Sequence, residues 1–233
     1  MYSSVSPNVL PMTPDRSIEW NVYAVHSLDS MLYVDPAYDL RPASLAVETM
    51  VEIAHHGSGN RLEPIKIGEG QDGSVYRLGN IAIKRAHDSA ATDEASGLSA
   101  TQALVTLSTG LQRLGNQRYD AVTPHACLVT GHDAPEQTRI TTMMSYVGGK
   151  TPSAKMPGLP DTGKRKSVYD AAISLCGSEP GDIYYDDAAL ANLKVRTRLG
   201  IVRTITKLDI WALPSFVEKM VKNPRPPYTN YRV

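Results

Sequence analysis

The sequence predicts an α+β chain folded as two lobes. Three observations predict it. Short alternating apolar runs cluster between residues 64 and 147, with one helical stretch among them. A Gly148-Gly149 pair then breaks the pattern, and a helix and a terminal hairpin follow it. The expected division is an N-terminal segment at 1–42, a first lobe with an extra N-terminal helix at 43–147, and a smaller second lobe at 148–233.

The first 14 residues are Ser/Pro-rich and uncharged, and are expected to be disordered. Residues 15–42 scatter Trp20, Tyr23, Tyr33 and Tyr38 among the turn signals Asp35-Pro36 and Arg41-Pro42, and are expected to wrap onto the folded body. Residues 43–56 read as an amphipathic helix, with Leu45, Val47, Met50, Val51 and Ile53 near one face, ended by a loop at 55–60. Strands are expected at 64–67, 73–78 and 81–84, the last two joined by Gly79-Asn80. A helix over about 90–115 spaces Leu98, Ala100, Leu104, Leu107 and Leu111 on a helical period. Strands at 125–131 and 138–147 flank a turn at 133–136. A Pro/Gly/Lys-rich connector covers 150–164, a helix covers about 165–177, and strands at 192–197 and 201–208 turn at Leu199-Gly200. The last 20 residues carry four prolines and little periodicity.

The charge balance narrows the function. The 233 residues hold 24 Lys+Arg and 24 Asp+Glu, without the basic excess that nucleic-acid or membrane-surface binding needs. Residues 1–149 hold 10 basic and 16 acidic residues, and residues 150–233 hold 14 and 8, which favours docking of the halves or a cleft of mixed sign. Two cysteines, Cys127 and Cys176, make no disulfide scaffold, and each reads as a small buried apolar residue. No apolar run nears the ~20 residues that span a bilayer, and the N-terminus lacks the pattern of a secretory signal. His55-His56 and His125-Cys127 have no second pair at zinc-site spacing. Lys150, Lys155, Lys164, Arg165 and Lys166 form a basic stretch, expected as a solvated linker.

Chemistry concentrates in two patterns. Gly68-Glu69-Gly70-Gln71-Asp72-Gly73-Ser74-Val75 is a GxGxxGxV run whose glycines let backbone approach a polyphosphate. It lies between strands rather than before a helix, so it reads as a flap over a nucleotide and not as a dinucleotide-binding turn. On the next strand, Ile81-Ala82-Ile83-Lys84, alternation puts Ala82 and Lys84 on one face. Small Ala82 leaves room for an adenine, and Lys84 offers a point charge to phosphates.

Together these residues resemble the first lobe of the eukaryotic-type protein kinase family. The resemblance continues downstream. Met143-Met144-Ser145-Tyr146-Val147-Gly148-Gly149 is similar to the last strand and hinge of that lobe. This implies Met144 as gatekeeper, with backbone groups of Ser145 and Val147 at the adenine edge. Residues 185–192 resemble the catalytic loop HRDxxxxN, which implies that Asp187 accepts the acceptor hydroxyl proton and Asn192 holds magnesium. The strands at 193–196 and 204–208 then lead to Asp209, similar to the DFG aspartate, which implies a second metal ligand. An acid on the long helix should pair with Lys84: Glu94 is favoured, while uncharged Gln102 sits at the more usual separation. The departures are Tyr185 and Asp186 for His-Arg, Ala189 for the usual lysine, and Ile210-Trp211 for Phe-Gly. With 24 residues after Asp209, the second lobe is minimal.

Such a minimal kinase looks like the type III effector kinases, of the HopBF-like kind, that pathogenic bacteria inject into host cells. Similarly short ubiquitin-conjugate-binding kinases of enteric pathogens are another such group. The resemblance implies an ATP- and Mg²⁺-dependent serine/threonine protein kinase secreted as a virulence factor into the host cytoplasm. It further implies a host protein substrate, for the HopBF-like kind the ninety-kilodalton heat-shock chaperone, with no nucleic-acid partner and a monomeric chain. The departures support an alternative, a pseudokinase that recruits a host protein without chemistry.

Overall fold

A computed structural model describes residues 21–25, 30–35, 38, 44–57, 63–70, 73–87, 94–131, 139–184, 190–212 and 229–231. The chain is α+β. Its elements are β1 (Asn21–Val25), β2 (Ser30–Val34), α1 (Ser44–His56), β3 (Ile65–Glu69), β4 (Gly73–Leu78), β5 (Ile81–Ala86), α2 (Glu94–Leu114), β6 (Tyr119–Ala121), β7 (Pro124–Thr130) and β8 (Arg139–Ser145). After these come α3 (Thr162–Ser174), β9 (Ile183–Tyr184), β10 (Leu193–Arg198), β11 (Ile201–Lys207), β12 (Trp211–Ala212) and β13 (Thr229–Tyr231).

The large sheet has eight strands in the order β13-β1-β2-β7-β8-β5-β4-β3. Both faces of its centre are covered, so β7 and β8 are buried along nearly their whole length. Alternation divides their side chains. Met143, Ala126, Leu128 and Ile83 pack with Val47, Met50 and Ile53 of α1. Cys127 and Val129 face the other way, with Tyr33 and Leu98 of α2. A second core joins Leu104, Leu107 and Leu111 of α2 to Tyr169, Ala172 and Ile173 of α3 and to Leu193, Val195 and Ile205 of a three-stranded sheet, β10-β11-β6. Gly110 lets the two helices touch, because a Cβ there would overlap the Ala172 carbonyl.

Several expectations are corrected. Residues 21–25 and 30–34 are strands at one side of the large sheet rather than a wrapping segment. Residues 229–231, expected to lack regular structure, add a strand parallel to β1. Leu45 is 45% exposed and lies off the buried face of α1, which is filled by Ala46, Val47, Met50, Ile53 and Ala54. The third helix runs Thr162–Ser174, three residues earlier than the apolar period suggests. Asp161 caps it by accepting a 2.8 Å hydrogen bond from the Lys164 backbone N–H. Lys164 and Lys166 are therefore helical and pair with Asp161 and Asp170 at 3.4 and 2.7 Å, while Arg165 is buried against the Pro160 carbonyl and Thr162 Oγ1. The expected disorder of residues 1–14, Trp20, Arg41-Pro42 and the turn at 133–136 lie outside the described residues. Among the described residues, no helix is long and apolar enough to cross a membrane.

Candidate active site

The glycine-rich hairpin is β3–β4. Its ladder shifts register between Lys66 and Gly68, and the Gly70 N–H donates to the Gly73 carbonyl at 2.9 Å, closing the turn. Gln71 and Asp72 lie outside the described residues. The three glycines serve different ends. Around Gly70 a Cβ would meet nothing within 4 Å, so packing does not require glycine there. At Gly73 a Cβ would overlap the Arg85 carbonyl, so that glycine is required by the approach of β5. A Cβ at Gly68 would meet only ordinary contact with Val75.

The face under this hairpin is apolar at its inner end. Val75 is opposite Lys84 in the β4–β5 ladder, and Ala82 is opposite Met144 in the β5–β8 ladder. Ala82 and Met144 are buried, and Val75, Tyr146 and Val147 pack against the same cluster, which continues into Leu193 and Ile210. Val75, Ala82, Met144 and Val147, expected at an adenine, thus belong to one apolar cluster. At its rim, the Ser145 N–H donates to the Thr123 carbonyl at 3.0 Å and the Ser145 Oγ shares a 2.8 Å hydrogen bond with His125 Nε2, so the N–H of this residue is already engaged. Burial holds His125 below the ordinary histidine pKa, with the Asp35 carboxylate opposing the shift.

From Tyr146 the chain crosses to the smaller sheet. Lys150 exchanges backbone hydrogen bonds with Val195 at 3.0 and 2.9 Å, and Gly149 has φ +136°. A Cβ on Gly149 would sit 2.8 Å from the Val195 carbonyl oxygen, so glycine permits the close passage.

At the polar end, Lys84 Nζ donates to Asp209 Oδ2 across 125 positions of sequence. Both side chains keep about a third of their surface exposed, at 30% and 34%. Asp209 follows β11, and the preceding Leu208 N–H donates to the Asn192 carbonyl at 2.9 Å. Leu193 pairs with Lys207 in the β10–β11 ladder. Backbone bonds thus hold Asn192 and Asp209 at one end of the hairpin, with Lys84 facing them from the large sheet. This sets a cation beside a carboxylate, with the Asn192 backbone held next to them. Aspartate and asparagine side chains are oxygen donors of the kind a hard divalent cation takes. Among the described residues, no three His, Cys, Asp or Glu side chains cluster as a metal site by themselves.

Glu94, expected to pair with Lys84, opens α2, and its side chain lies outside the described part. Among the described residues, the carboxylate on Lys84 is that of Asp209. Gln102 is buried midway along α2. Asp187, with Tyr185, Asp186 and Ala189, lies outside the described residues. Sequence reasoning missed two features. Lys207 is fully buried two residues before Asp209, and only its place opposite apolar Leu193 could have flagged it. Ile210 is 3% exposed within the second core, which gives an apolar side chain at that position a packing reason. Burial pushes the Cys176 thiol pKa up, with Arg113 opposing the shift, and its Sγ donates to the Thr106 carbonyl.

No protein-family model matches the sequence, and no curated protein matches it significantly. The site therefore rests on its own geometry.

Proposed function

We propose that the protein is a minimal two-lobed protein kinase that transfers the γ-phosphoryl group of ATP, with Mg²⁺, to serine or threonine of another protein. The observation that carries this reading is the Lys84–Asp209 pair. A lysine on the strand after a glycine-rich hairpin meets an aspartate at the far end of the next sheet, next to Asn192. Mg²⁺ supplies charge neutralisation between the phosphates, and Asn192 and Asp209 are the oxygen donors that would hold it. Lys84 would fix the phosphates, and Val75, Ala82 and Met144 would pack on the base. Gly68 and Gly70 would bring backbone over the phosphates.

In the transfer, Asp187 accepts the acceptor hydroxyl proton. The acceptor oxygen forms a bond to the γ-phosphorus while the bond to the β,γ-bridging oxygen breaks, and ADP leaves. Catalysis then consists of positioning and charge stabilisation. The effector reading follows from the resemblance: delivery from a bacterium into host cytoplasm, with the heat-shock chaperone as a target. The replacements at Tyr185, Ala189 and Trp211 support a second reading, a pseudokinase that recruits a host protein without chemistry.

The test incubates the full chain with γ-labelled ATP, Mg²⁺ and a eukaryotic lysate. Label on a host protein, lost in Lys84→Ala, supports the kinase. Nucleotide binding without transfer supports the pseudokinase.

A further inference from the structure

Among the described residues, three unpaired arginines lie outside the basic stretch at 150–166. Lys164 and Lys166 of that stretch are paired with carboxylates and Arg165 is buried. By contrast, residues 193–207 hold five basic residues and no acid. Arg196, Arg198 and Arg203 of this β10–β11 finger are exposed, and none pairs with any described residue.

The finger has a defined layout. Arg196 and Arg198 are two positions apart on β10, so they share a face, ~6.6 Å apart along the strand. Arg198 lies opposite Ile201, and the register shifts between Arg196 and Thr197, which leaves Arg203 as the extra residue on β11. At the tip, Leu199 is 92% exposed and holds φ +52°, the one positive φ outside glycine among the described residues. A bulky side chain is rarely found in that conformation, and here no packing compensates it. Ile201 beside it is 42% exposed.

From this juxtaposition we infer that the β10–β11 finger is a docking surface for an acidic, extended segment of another protein, with carboxylates two residues apart and an aliphatic side chain for Leu199 and Ile201. Arginine forks match carboxylates in a bidentate way, and unpaired cations around an apolar tip complement such a segment in charge and hydropathy. A lipid surface fits less well. The tip carries no aromatic side chain, and Leu199 with Ile201 is a small apolar anchor for a lipid interface. The inference does not depend on nucleotide chemistry, because none of these residues belongs to the Lys84–Asp209 site.

The test uses the full chain and a fluorescent 12-residue peptide of alternating Glu and Thr with a central Leu, read by anisotropy. Binding that weakens at least ~10-fold in Arg196→Glu/Arg198→Glu, several-fold in Leu199→Gly, and strongly in 0.5 M salt is expected. Should the reversal variant fail to fold, as judged by circular dichroism, Arg196→Gln/Arg198→Gln answers the same question. No peptide binding, or binding that ignores these substitutions, overturns the inference. Finger-dependent sedimentation with phosphatidylserine vesicles in place of peptide binding also overturns it, and makes the finger a lipid surface.

Discussion

Two lysines on one sheet make the same contact with different consequences. Lys66 on β3 meets Glu69 three residues away at 2.5 Å, and both side chains are about half exposed. That bond raises the Lys66 pKa and lowers that of Glu69, yet the pair joins nothing that the strand does not already join. Lys84 on β5 meets Asp209 from another sheet, 125 positions away. An exposed local pair adds little, because solvent screens it and side-chain entropy opposes it. A pair set by the meeting of two sheets costs the fold two ionic groups in a half-open mouth. In the proposed kinase its use would be to hold a cation and a carboxylate ready for a third charged species.

The comparison can be broken at several points. Lys84→Ala should abolish phosphoryl transfer in the labelling assay while changing stability by no more than ~1 kcal/mol, since a pair still about a third exposed is screened by solvent. If it lowers the melting temperature by many degrees and leaves transfer intact, Lys84 is a structural residue like many others. Asp187→Asn should reduce kcat by ~10²–10⁴-fold, the usual contribution of a positioned base, with Mg-ATP affinity nearly unchanged. Should Asp186→Asn be the inactive variant instead, the catalytic loop is read one residue out of register.

The glycines give a sharper contrast within one loop. Gly73→Ala should destabilise the protein by ~1–3 kcal/mol in denaturant unfolding, because the new methyl group meets the Arg85 carbonyl. Gly70→Ala should leave stability nearly unchanged, as nothing lies within 4 Å of its Cβ, and should act on nucleotide affinity alone.

Acid should weaken the fold through His125. Burial lowers its pKa in the folded chain, so the unfolded chain binds the proton more readily. The stability is therefore full above the ordinary histidine value of 6.5 and is lost as pH falls through it toward the lower folded value. His55 shares the direction, through burial first and then His56, Arg139 and Arg85. The melting temperature should fall between pH 7 and pH 5, with a shallower fall in His125→Gln. A parallel fall in that variant would remove His125 from the account. The smallest effect is expected at Lys66→Ala, which should leave both the melting curve and transfer at wild-type values.

Much of the site was legible because its signals are local. Glycine spacing, the alternation of Ala82 and Lys84, and the hairpin ending at Asp209 need only neighbouring residues to be read. The Lys84–Asp209 contact was not, since a contact across 125 positions leaves no periodic trace. The start of α3 was missed because Asp161 caps it from inside a stretch that reads as a connector. Strands β1, β2 and β13 escaped for a further reason. Their pairing joins the two ends of the chain, and β13 has only three residues on which a period could show.

The central claim is that Lys84 and Asp209 form one phosphate-and-metal mouth. The most direct measurement is thermal unfolding of wild type and Asp209→Asn with ATP plus Mg²⁺ and with ATP plus chelator. Wild type should be stabilised by Mg-ATP, by ~2.7 kcal/mol at a hundredfold excess over Kd, and far less with chelator, while Asp209→Asn should lose the metal-dependent part. Equal stabilisation with and without Mg²⁺, or a metal-dependent shift that survives in Asp209→Asn, would contradict the account.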